Sequence, residues 1–269
     1  DLNRTRGNVG ADYESRGITA GVDYRFSPRL VAGGAIGYSS YDVDLSGDST
    51  LESSSLMFTG YGSYYLSDRL YIDSRLSYGQ IGLDLDRRVR FRVGNLSVDQ
   101  IARGETDATQ LSFASAMGYH LNYGPWSVTP NAALRFTSSD IDGFVESGAG
   151  PNNLRYADTS LDSTLLSVGV QVSRALSLTG GVLMPQLDLS YNHASGADDF
   201  EIESRFANGI SQVGINVEEQ DPDSSYGTAG LGFVYLMGNG RQAYLNYRRV
   251  FGYTDFDRGS LNLGGRFEF

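Results

Sequence analysis

Cysteine and lysine are absent from the sequence, and proline is scarce. Without cysteine, neither a disulfide framework nor a thiolate metal site can form. All 21 basic residues are arginines, against 32 acidic residues, and the formal net charge is −11. A protein that binds a polyanion needs a basic surface, so we expect no nucleic-acid partner. Nothing in the composition points to a metal or a cofactor, and we predict neither.

Long apolar runs are also missing. No stretch of roughly 18 or more apolar residues occurs in the chain, so no transmembrane helix is predicted. A chain of this kind can cross a membrane only as a closed sheet, because every backbone N–H and C=O group in lipid needs a partner within the protein. The 34 glycines and 18 tyrosines, beside only 6 prolines, favour many strands with tight bends in one domain that spans residues 1–269.

Strict alternation of apolar and polar residues is the strongest positive signal. In residues 126–137 the even positions carry Trp, Val, Pro, Ala, Leu and Phe, whereas the odd positions carry Ser, Thr, Asn, Ala, Arg and Thr. The same alternation recurs at 18–26, 70–78 and 183–192. Successive side chains of a strand point to opposite faces, so each segment predicts a strand with one apolar and one polar face. A soluble β-sandwich shows similar alternation, so this pattern alone does not decide between the two folds.

The number, length and connections of these segments favour a membrane barrel. Many exceed the 5–6 residues or so of a soluble strand and match the roughly 9–11 that a tilted strand needs to cross a bilayer. Short turns such as Ser27-Pro28-Arg29 alternate with long loops near 44–52, 88–106, 140–160, 195–223 and 253–257, as in outer-membrane proteins. We therefore predict an all-β fold, a transmembrane antiparallel up-and-down β-barrel. The eleven predicted strands are residues 16–26, 30–43, 53–66, 70–87, 107–122, 125–139, 161–176, 181–194, 224–237, 241–252 and 258–269.

Eleven strands is an odd number, whereas bacterial single-chain barrels have an even number. The first connection, at Pro28, is short, so the first predicted strand begins at the extracellular rim and runs toward the periplasm. Two explanations stay open: the chain lacks its first strand, or two strands are merged within 195–223, where residues 201–207 pair locally. Residues 1–15 form a polar lead-in. With neither an initiator methionine nor a signal segment, the chain is expected to be a processed or excised fragment.

The last predicted strand carries a recognisable ending. Leu261, Leu263, Phe267 and Phe269 alternate with polar residues, and the chain ends on an aromatic residue. A polar residue, a glycine two positions on, and aromatic residues at the third-last and last positions resemble the signal read by the bacterial barrel assembly machinery. This resemblance implies that the machinery is a partner and that the signal consists of Asn262, Gly264, Phe267 and Phe269.

The order of several short segments carries a wider resemblance, which extends over nearly the whole chain. The segments are 17–25 (GITAGVDYR), 61–65 (YGSYY), 140–148 (DIDGFVESG), 182–186 (VLMPQ) and 264–269 (GGRFEF). In this order and spacing the chain resembles the translocator (β) domain of classical, type Va autotransporters. The resemblance implies a barrel of twelve strands, threaded by a helix that joins it to a secreted passenger. It also implies that the first strand lies just upstream of Asp1, in agreement with the odd strand count.

Charged residues at the inward positions of the predicted strands are the candidate functional residues. They would line a hydrated lumen in which an extended polypeptide or a helix can lie, because mixed signs avoid a field that traps a charged chain. The alternative is that they only hydrate and brace the lumen by ion pairing. The predicted set is Asp23, Arg25, Asp73, Arg75, Arg135, Asp188, Arg248, Arg266 and Glu268.

Catalysis and metal binding each have one candidate, and we predict neither. His120 and His193 are the two histidines. His193, beside Asp198 and Asp199, resembles a general base with its orienting carboxylate, whereas the alternative is a rim histidine facing solvent or headgroups. The acidic loop is a candidate for calcium, but its spacing matches no binding motif, and we interpret it as a solvated loop. Its acidic residues are Asp198, Asp199, Glu201, Glu203, Glu218, Glu219, Asp221 and Asp223.

The leading hypothesis is an outer-membrane translocator barrel of a Gram-negative bacterium, which supports export of an N-terminal passenger in type V secretion. Its expected partners are membrane lipid and lipopolysaccharide, the barrel assembly machinery and the passenger, and no catalytic activity of its own is expected. The first alternative is a stand-alone porin-like channel. The second is a barrel enzyme of the protease or lipase class that uses His193.

Overall fold

The computed structural model describes residues 11–45, 48–196, 203–209, 224–238, 240–252 and 259–267. Within these residues the chain forms β-strands and a single three-residue 3-10 helix, Gly150–Asn152. No helix of the described chain is long and apolar enough to cross a membrane. The strands are β1 (Ala11–Ser27), β2 (Leu30–Leu45), β3 (Ser49–Tyr65), β4 (Leu70–Val93), β5 (Leu96–Tyr119), β6 (Leu121–Tyr123), β7 (Trp126–Ile141), β8 (Leu154–Tyr156), β9 (Thr159–Arg174), β10 (Leu176–Leu178), β11 (Gly181–Ser195), β12 (Ser204–Phe206), β13 (Ser225–Met237), β14 (Arg241–Phe251) and β15 (Gly259–Phe267).

Eleven long strands form one continuous antiparallel sheet in which each pairs with the next along the chain. Their order is β1-β2-β3-β4-β5-β7-β9-β11-β13-β14-β15, and the short β6 and β10 extend hairpins at the sheet's end. This arrangement confirms the predicted all-β, up-and-down antiparallel fold. Tight turns close several hairpins: Gly124 takes φ 61° between the paired Tyr123 and Trp126. A residue with positive φ suits the short turn of a hairpin, and glycine adopts it without a Cβ clash.

The connection predicted near 88–106 is wrong as a loop, because β4 and β5 continue through it. They stay paired from Leu70↔Tyr119 to Val93↔Leu96 and turn at Gly94, which has φ 59°. Arg88, Arg90 and Arg92 lie within this segment. They occupy one face of the strand only, and the intervening residues are apolar, so the period-two pattern of a strand was present.

Local pairing of residues 201–207 was one of the two explanations left open for the odd strand number. Instead Ser204–Phe206 pairs with Leu154–Tyr156 of a different loop, in a separate two-stranded sheet. The described part of 195–223 therefore adds no strand to the long sheet. A pairing between two loops leaves no signal in either segment alone, so the sequence does not reveal it.

The first and last strands of the long sheet are linked by a side-chain contact. No backbone pairing joins β1 to β15 within the described residues. However, Nη2 of Arg266 on β15 lies 2.6 Å from Oδ1 of Asp23 on β1. Neighbouring strands lie about 4.8 Å apart, so two side chains that meet across a slot one strand wide must span about 10 Å, which a long arginine can do. The curled sheet thus brings its first and last strands within reach of one ion pair.

The apolar side chains lie mainly on the outside of the curl. In the described residues no large side chain is fully buried, and the buried apolar residues are only Ala102, Ala108, Ala149 and Leu154. By contrast, Ile18 is 74% exposed and Leu263 is 79% exposed. A soluble sandwich places its apolar face between two sheets, whereas this sheet presents it outward, as a barrel in lipid does.

Candidate functional site: the inner face of the sheet and its rim

The inner face carries the predicted charged residues. β4 illustrates the arrangement, since Asp73 and Arg75 alternate with outward-facing Leu76 and Tyr78, which are 53% and 49% exposed. Strand register places the other charged residues on this same face. Glu268 lies outside the described residues. The residues placed on the inner face are Asp23, Arg25, Asp73, Arg75, Arg135, Asp188, Arg248 and Arg266.

Two adjoining cavities bring most of these charges together. One, of about 310 Å³, is lined by Asp73, Arg75 and Arg135 together with Tyr61. The other, of about 390 Å³, is lined by Asp188 and Arg248 and shares Arg135 with the first. Asp23 and Arg266 form the ion pair at the sheet edges, and the hydroxyl of Tyr61 donates to Asp23 over 3.4 Å.

The inner face differs in charge from the chain as a whole. Its five predicted arginines against three predicted aspartates leave a net charge of +2 in that set, whereas the whole sequence carries −11. Both signs are present along the wall, and water can reach the cavities. A wall of mixed charge of this kind builds up no single-sign field.

Pairs of hydroxyl groups on neighbouring strands form a second set of inner-face contacts, which the sequence analysis missed. The side chains of Ser39 and Ser55 are 2.7 Å apart, and those of Ser190 and Thr228 are 2.6 Å apart. Each pair lies directly opposite in the register. Cross-strand hydroxyl pairs stabilise a sheet modestly. Their signal is serine or threonine at inward positions, but which residues pair depends on a register that alternation alone does not fix.

Acidic residues form a row on the outer face at the end of the strands opposite the tight turns. Glu14 lies opposite Asp42, Asp42 opposite Glu52, Glu52 opposite Asp84, and Asp84 opposite Glu105. All five are exposed. The carboxylates therefore occupy laterally matched positions on five neighbouring strands, just beyond the apolar band.

Above this row, the loop of residues 142–158 folds onto the inner face of the β4–β5 hairpin. The carboxylate of Glu146 is fully buried and accepts two bonds from Arg87, at 2.7 Å from Nε and 2.6 Å from Nη2. The backbone N–H of Leu154 donates to it at 2.7 Å, and the hydroxyl of Tyr156 at 3.3 Å. A buried carboxylate with four donors holds the loop in one place, because charge-assisted and bidentate bonds are the strong ones.

Close packing accompanies this ion pair. The rings of Phe144 and Tyr156 stack with centroids 4.5 Å apart, and a Cβ at Gly104 would collide with the Phe144 ring. Ala149 and Leu154 are among the few buried apolar residues. We call residues 142–158 and 203–209, together with the part of the hairpin that they contact, the rim assembly. Residues 142–148 belong to the segment 140–148 that carried the family resemblance, whereas the contact of Glu146 with Arg87 was not predicted.

Burial and the Glu146 carboxylate shift the pKa values of both neighbouring groups. The hydrogen bond between Arg87 and Glu146 raises the pKa of Arg87, and the guanidinium therefore stays charged. Burial, and next the negative charge of Glu146, raise the pKa of Tyr156 to about 12. The Tyr156 hydroxyl therefore remains protonated and can donate to the carboxylate.

The rim assembly is accordingly expected to loosen at alkaline pH. A tyrosine pKa raised from 10.0 to about 12 contributes stability that is complete below pH 10 and is lost as the pH rises through about 12. Subtracting the tyrosinate absorbance of the Tyr156→Phe variant from that of the wild type should give a transition near pH 12. A midpoint at the ordinary tyrosine pKa of about 10 would contradict the burial of this hydroxyl.

The two histidines do not form a catalytic arrangement with the residues described. Nδ1 of His193 lies 3.0 Å from the hydroxyl of Ser225, and the histidine is exposed on the outer face. Its predicted partners Asp198 and Asp199 lie outside the described residues. His120 lies 2.9 Å from the Thr129 hydroxyl at the turn end of the sheet. The described residues contain no group of three or more His, Asp or Glu arranged for a metal ion.

The predicted assembly signal lies on the edge strand β15. Asn262 and Gly264 face inward, and Phe267 faces outward with 68% exposure. A Cβ at Gly264 would collide with the ring of Tyr244, so the glycine makes room for that ring. Phe269, the last residue of the predicted signal, lies outside the described residues.

A curled antiparallel sheet with an apolar outside and a charged, hydrated inside defines an outer-membrane β-barrel. The model of the autotransporter β-domain family matches residues 1–248, and the chain belongs to this family. The predicted family, outer-membrane location and role are thereby confirmed. The chain is an outer-membrane translocator barrel of a Gram-negative bacterium and supports export of a passenger in type V secretion.

Individual relatives agree with this assignment. The sequence is 24% identical over 221 residues to Esterase EstA of Pseudomonas aeruginosa, covering 80% of this chain and 33% of that protein. It is 27% identical over 188 residues to Outer membrane protein B of Rickettsia prowazekii, covering 67% and 11%. The fold is similar to the translocator domain of autotransporter NalP from Neisseria meningitidis, with TM-score 0.75, 17% identity, and coverage of 98% and 83%. The chain thus spans about a third of the length of its EstA relative.

Proposed function

We propose that the passenger polypeptide crosses the membrane along the inner face, beside the eight charged residues, and that the barrel itself carries no catalytic group. The observation that carries this proposal is the inverted distribution of side chains. Apolar residues face lipid, while the inner cavities at Arg135 are charged and open to water. A polypeptide backbone can be hydrated on such a path, whereas lipid would leave its N–H and C=O groups without partners.

Two partners belong to the same proposal. The outward aromatic residues, such as Tyr64 and Trp126, suit the interface between lipid and water, and we include lipopolysaccharide among the lipids they contact. The barrel assembly machinery is the expected reader of the C-terminal strand, on the resemblance of Asn262, Gly264, Phe267 and Phe269 to its signal. The outward exposure of Phe267 supports that role, since an aromatic ring on the lipid side is accessible to another membrane protein.

Two adjacent alanines allow a direct test. Ala133 lines both inner cavities, whereas Ala132, one residue away on β7, faces outward. A photo-activatable residue would be placed at each position in the full-length protein, and crosslinks would be collected during a pulse of synthesis. We expect position 133 to crosslink to the passenger and position 132 to lipid only.

Two outcomes would argue against the passage. If the passenger reaches the cell surface without ever crosslinking to position 133, the inner face is not its route. If the full-length protein presents no passenger at the surface but conducts ions in planar bilayers, a porin-like channel is the better description.

A further inference from the structure

The distal half of the β4–β5 hairpin projects beyond the rest of the sheet. Pairing between β3 and β4 ends at Thr50↔Asp86, and pairing between β5 and β7 begins only at Ala108↔Ile141. From Arg87 onward the two strands therefore form a ribbon paired only with each other, apart from the isolated bridge of Arg103 with Ser147. A two-stranded ribbon on its own is marginally stable in water, so a partner surface would stabilise it.

The two faces of this ribbon differ sharply. On the outer face, Arg88 and Arg90 are paired with Asp99 and also with Asp48. The inner face is apolar, and three of its side chains stay in water: Phe91 is 42% exposed, Val93 66% and Leu96 63%. We call the inner residues Val89, Phe91, Val93, Leu96 and Val98 the distal apolar face. Apolar groups at adjacent positions in water favour contact with another apolar surface.

The near half of the same inner face is already occupied. Glu146 binds Arg87, Phe144 packs over Gly104, and the Asn152 amide donates to Gln100 over 3.1 Å. The loop 142–158 stops there, and no other described segment pairs with the ribbon beyond Gln100. Among the described residues, the inner face of the ribbon is thus covered by the loop in one half and open in the other.

The location of the distal apolar face indicates which molecule covers it. Phe91 and Val93 lie on the same face of β4 as Asp73 and Arg75, because residues of the same parity on one strand share a face. The face is therefore the continuation of the lumen wall past the extracellular rim. Lipid is an unsuitable cover, since the ribbon lies beyond the acidic row at Asp84 and Glu105 and the face points to the lumen side.

We propose that the distal apolar face receives the passenger polypeptide as it leaves the lumen, as an extended segment with apolar side chains at alternate positions. This inference rests on the proposed route along the inner face. An extended chain can pack its apolar side chains against Phe91, Val93 and Leu96, and it can add backbone hydrogen bonds at the open edge of the ribbon. Burial there would favour the exported part of the chain on the outside and oppose its return.

Crosslinking from neighbouring residues tests the contact. A photo-activatable residue at position 96 reports the inner face, and one at position 97 reports the outer face of the same strand. In the full-length protein, labelled during a pulse, we expect position 96 to crosslink to the passenger after position 133 does, and position 97 not to crosslink to it. Crosslinks from position 96 only to residues 210–223 of the same chain would overturn the proposal, since those residues would then be the occupant.

A pair of variants tests the consequence. Phe91→Ser, Val93→Ser and Leu96→Ser together remove the distal apolar face, while Arg90→Ser and Arg92→Ser change the outer face of the same ribbon. We expect the first variant to slow the appearance of surface-exposed passenger several-fold with the barrel assembled, and the second to leave the rate unchanged. Equal rates of passenger appearance in the two variants would overturn the docking role of the distal apolar face. If the serine variant still crosslinks to the passenger from position 133, the route along the inner face stands even when the docking role fails. If position 133 does not crosslink to the passenger in the otherwise wild-type protein, the route itself is refuted.

Discussion

Replacing Glu146 with glutamine is expected to release the rim assembly while the eleven-strand sheet stays folded. The substitution leaves Arg87 facing a neutral amide in a site where the carboxylate was fully buried. Breaking a buried ion pair from one side typically costs 3–5 kcal/mol, and because Arg87 is partly exposed we expect about 3 kcal/mol. Hydrogen exchange and limited proteolysis of residues 142–158 should both increase. Heat-modifiable mobility, which reports the assembled barrel, should not change.

Asp99→Asn is the matched control, because Asp99 also binds an arginine of this hairpin, Arg88, but does so in water. Exposed ion pairs contribute little, so its protease pattern should resemble that of the wild type. Removing both partners, with Arg87→Met and Glu146→Leu, should restore part of the lost stability, since no unpaired buried charge remains. A Glu146→Gln protein with wild-type exchange in this loop would contradict the role assigned to the ion pair.

Two adjacent leucines of β9 should respond oppositely to the same substitution. Leu166 faces outward and is 50% exposed, whereas Leu165 faces inward and lines both cavities. An arginine on the lipid side of a barrel near the bilayer midplane destabilises it by about 2–4 kcal/mol, while lumen positions tolerate charge. We therefore expect Leu166→Arg to lower the free energy of unfolding by this amount and Leu165→Arg to change it little.

Urea unfolding in lipid vesicles measures both leucine variants under one condition. The residues share a strand and a depth, so membrane position cannot account for a difference between them. Equal destabilisation by the two substitutions would mean that both faces of β9 contact the same medium. The assignment of the outer face to lipid would then fail.

The strands and their faces could be predicted from the sequence because a strand has a period of two, so each residue's face follows from its neighbours. Trp126 and Ile18 were placed on the apolar side by this reasoning, and the structure agrees. The distal part of the β4–β5 hairpin was predicted as a loop, although Phe91 and Val93 alternate there with Arg90 and Arg92. Alternation identifies a strand more reliably than charge excludes one.

Contacts between distant segments could not be predicted in the same way. Arg87 and Glu146 are 59 residues apart, and neither periodicity nor a local motif relates them. The pairing of β8 with β12 and the hydroxyl pair of Ser190 with Thr228 depend likewise on strand register and loop position. Register is set by turns and by packing of the whole sheet, so its consequences appear only in three dimensions.

The acidic row from Glu14 to Glu105 makes the stability of the barrel wall depend on salt. Like charges placed opposite each other destabilise a sheet, and mobile ions reduce that repulsion within a distance of about 10 Å at 0.1 M salt. Salt weakens proteins that are held by exposed ion pairs, but along this row it relieves a conflict within the fold. We therefore expect the ionic strength outside the cell to stabilise this part of the wall, least at Glu14, which Arg16 already partners at 2.7 Å.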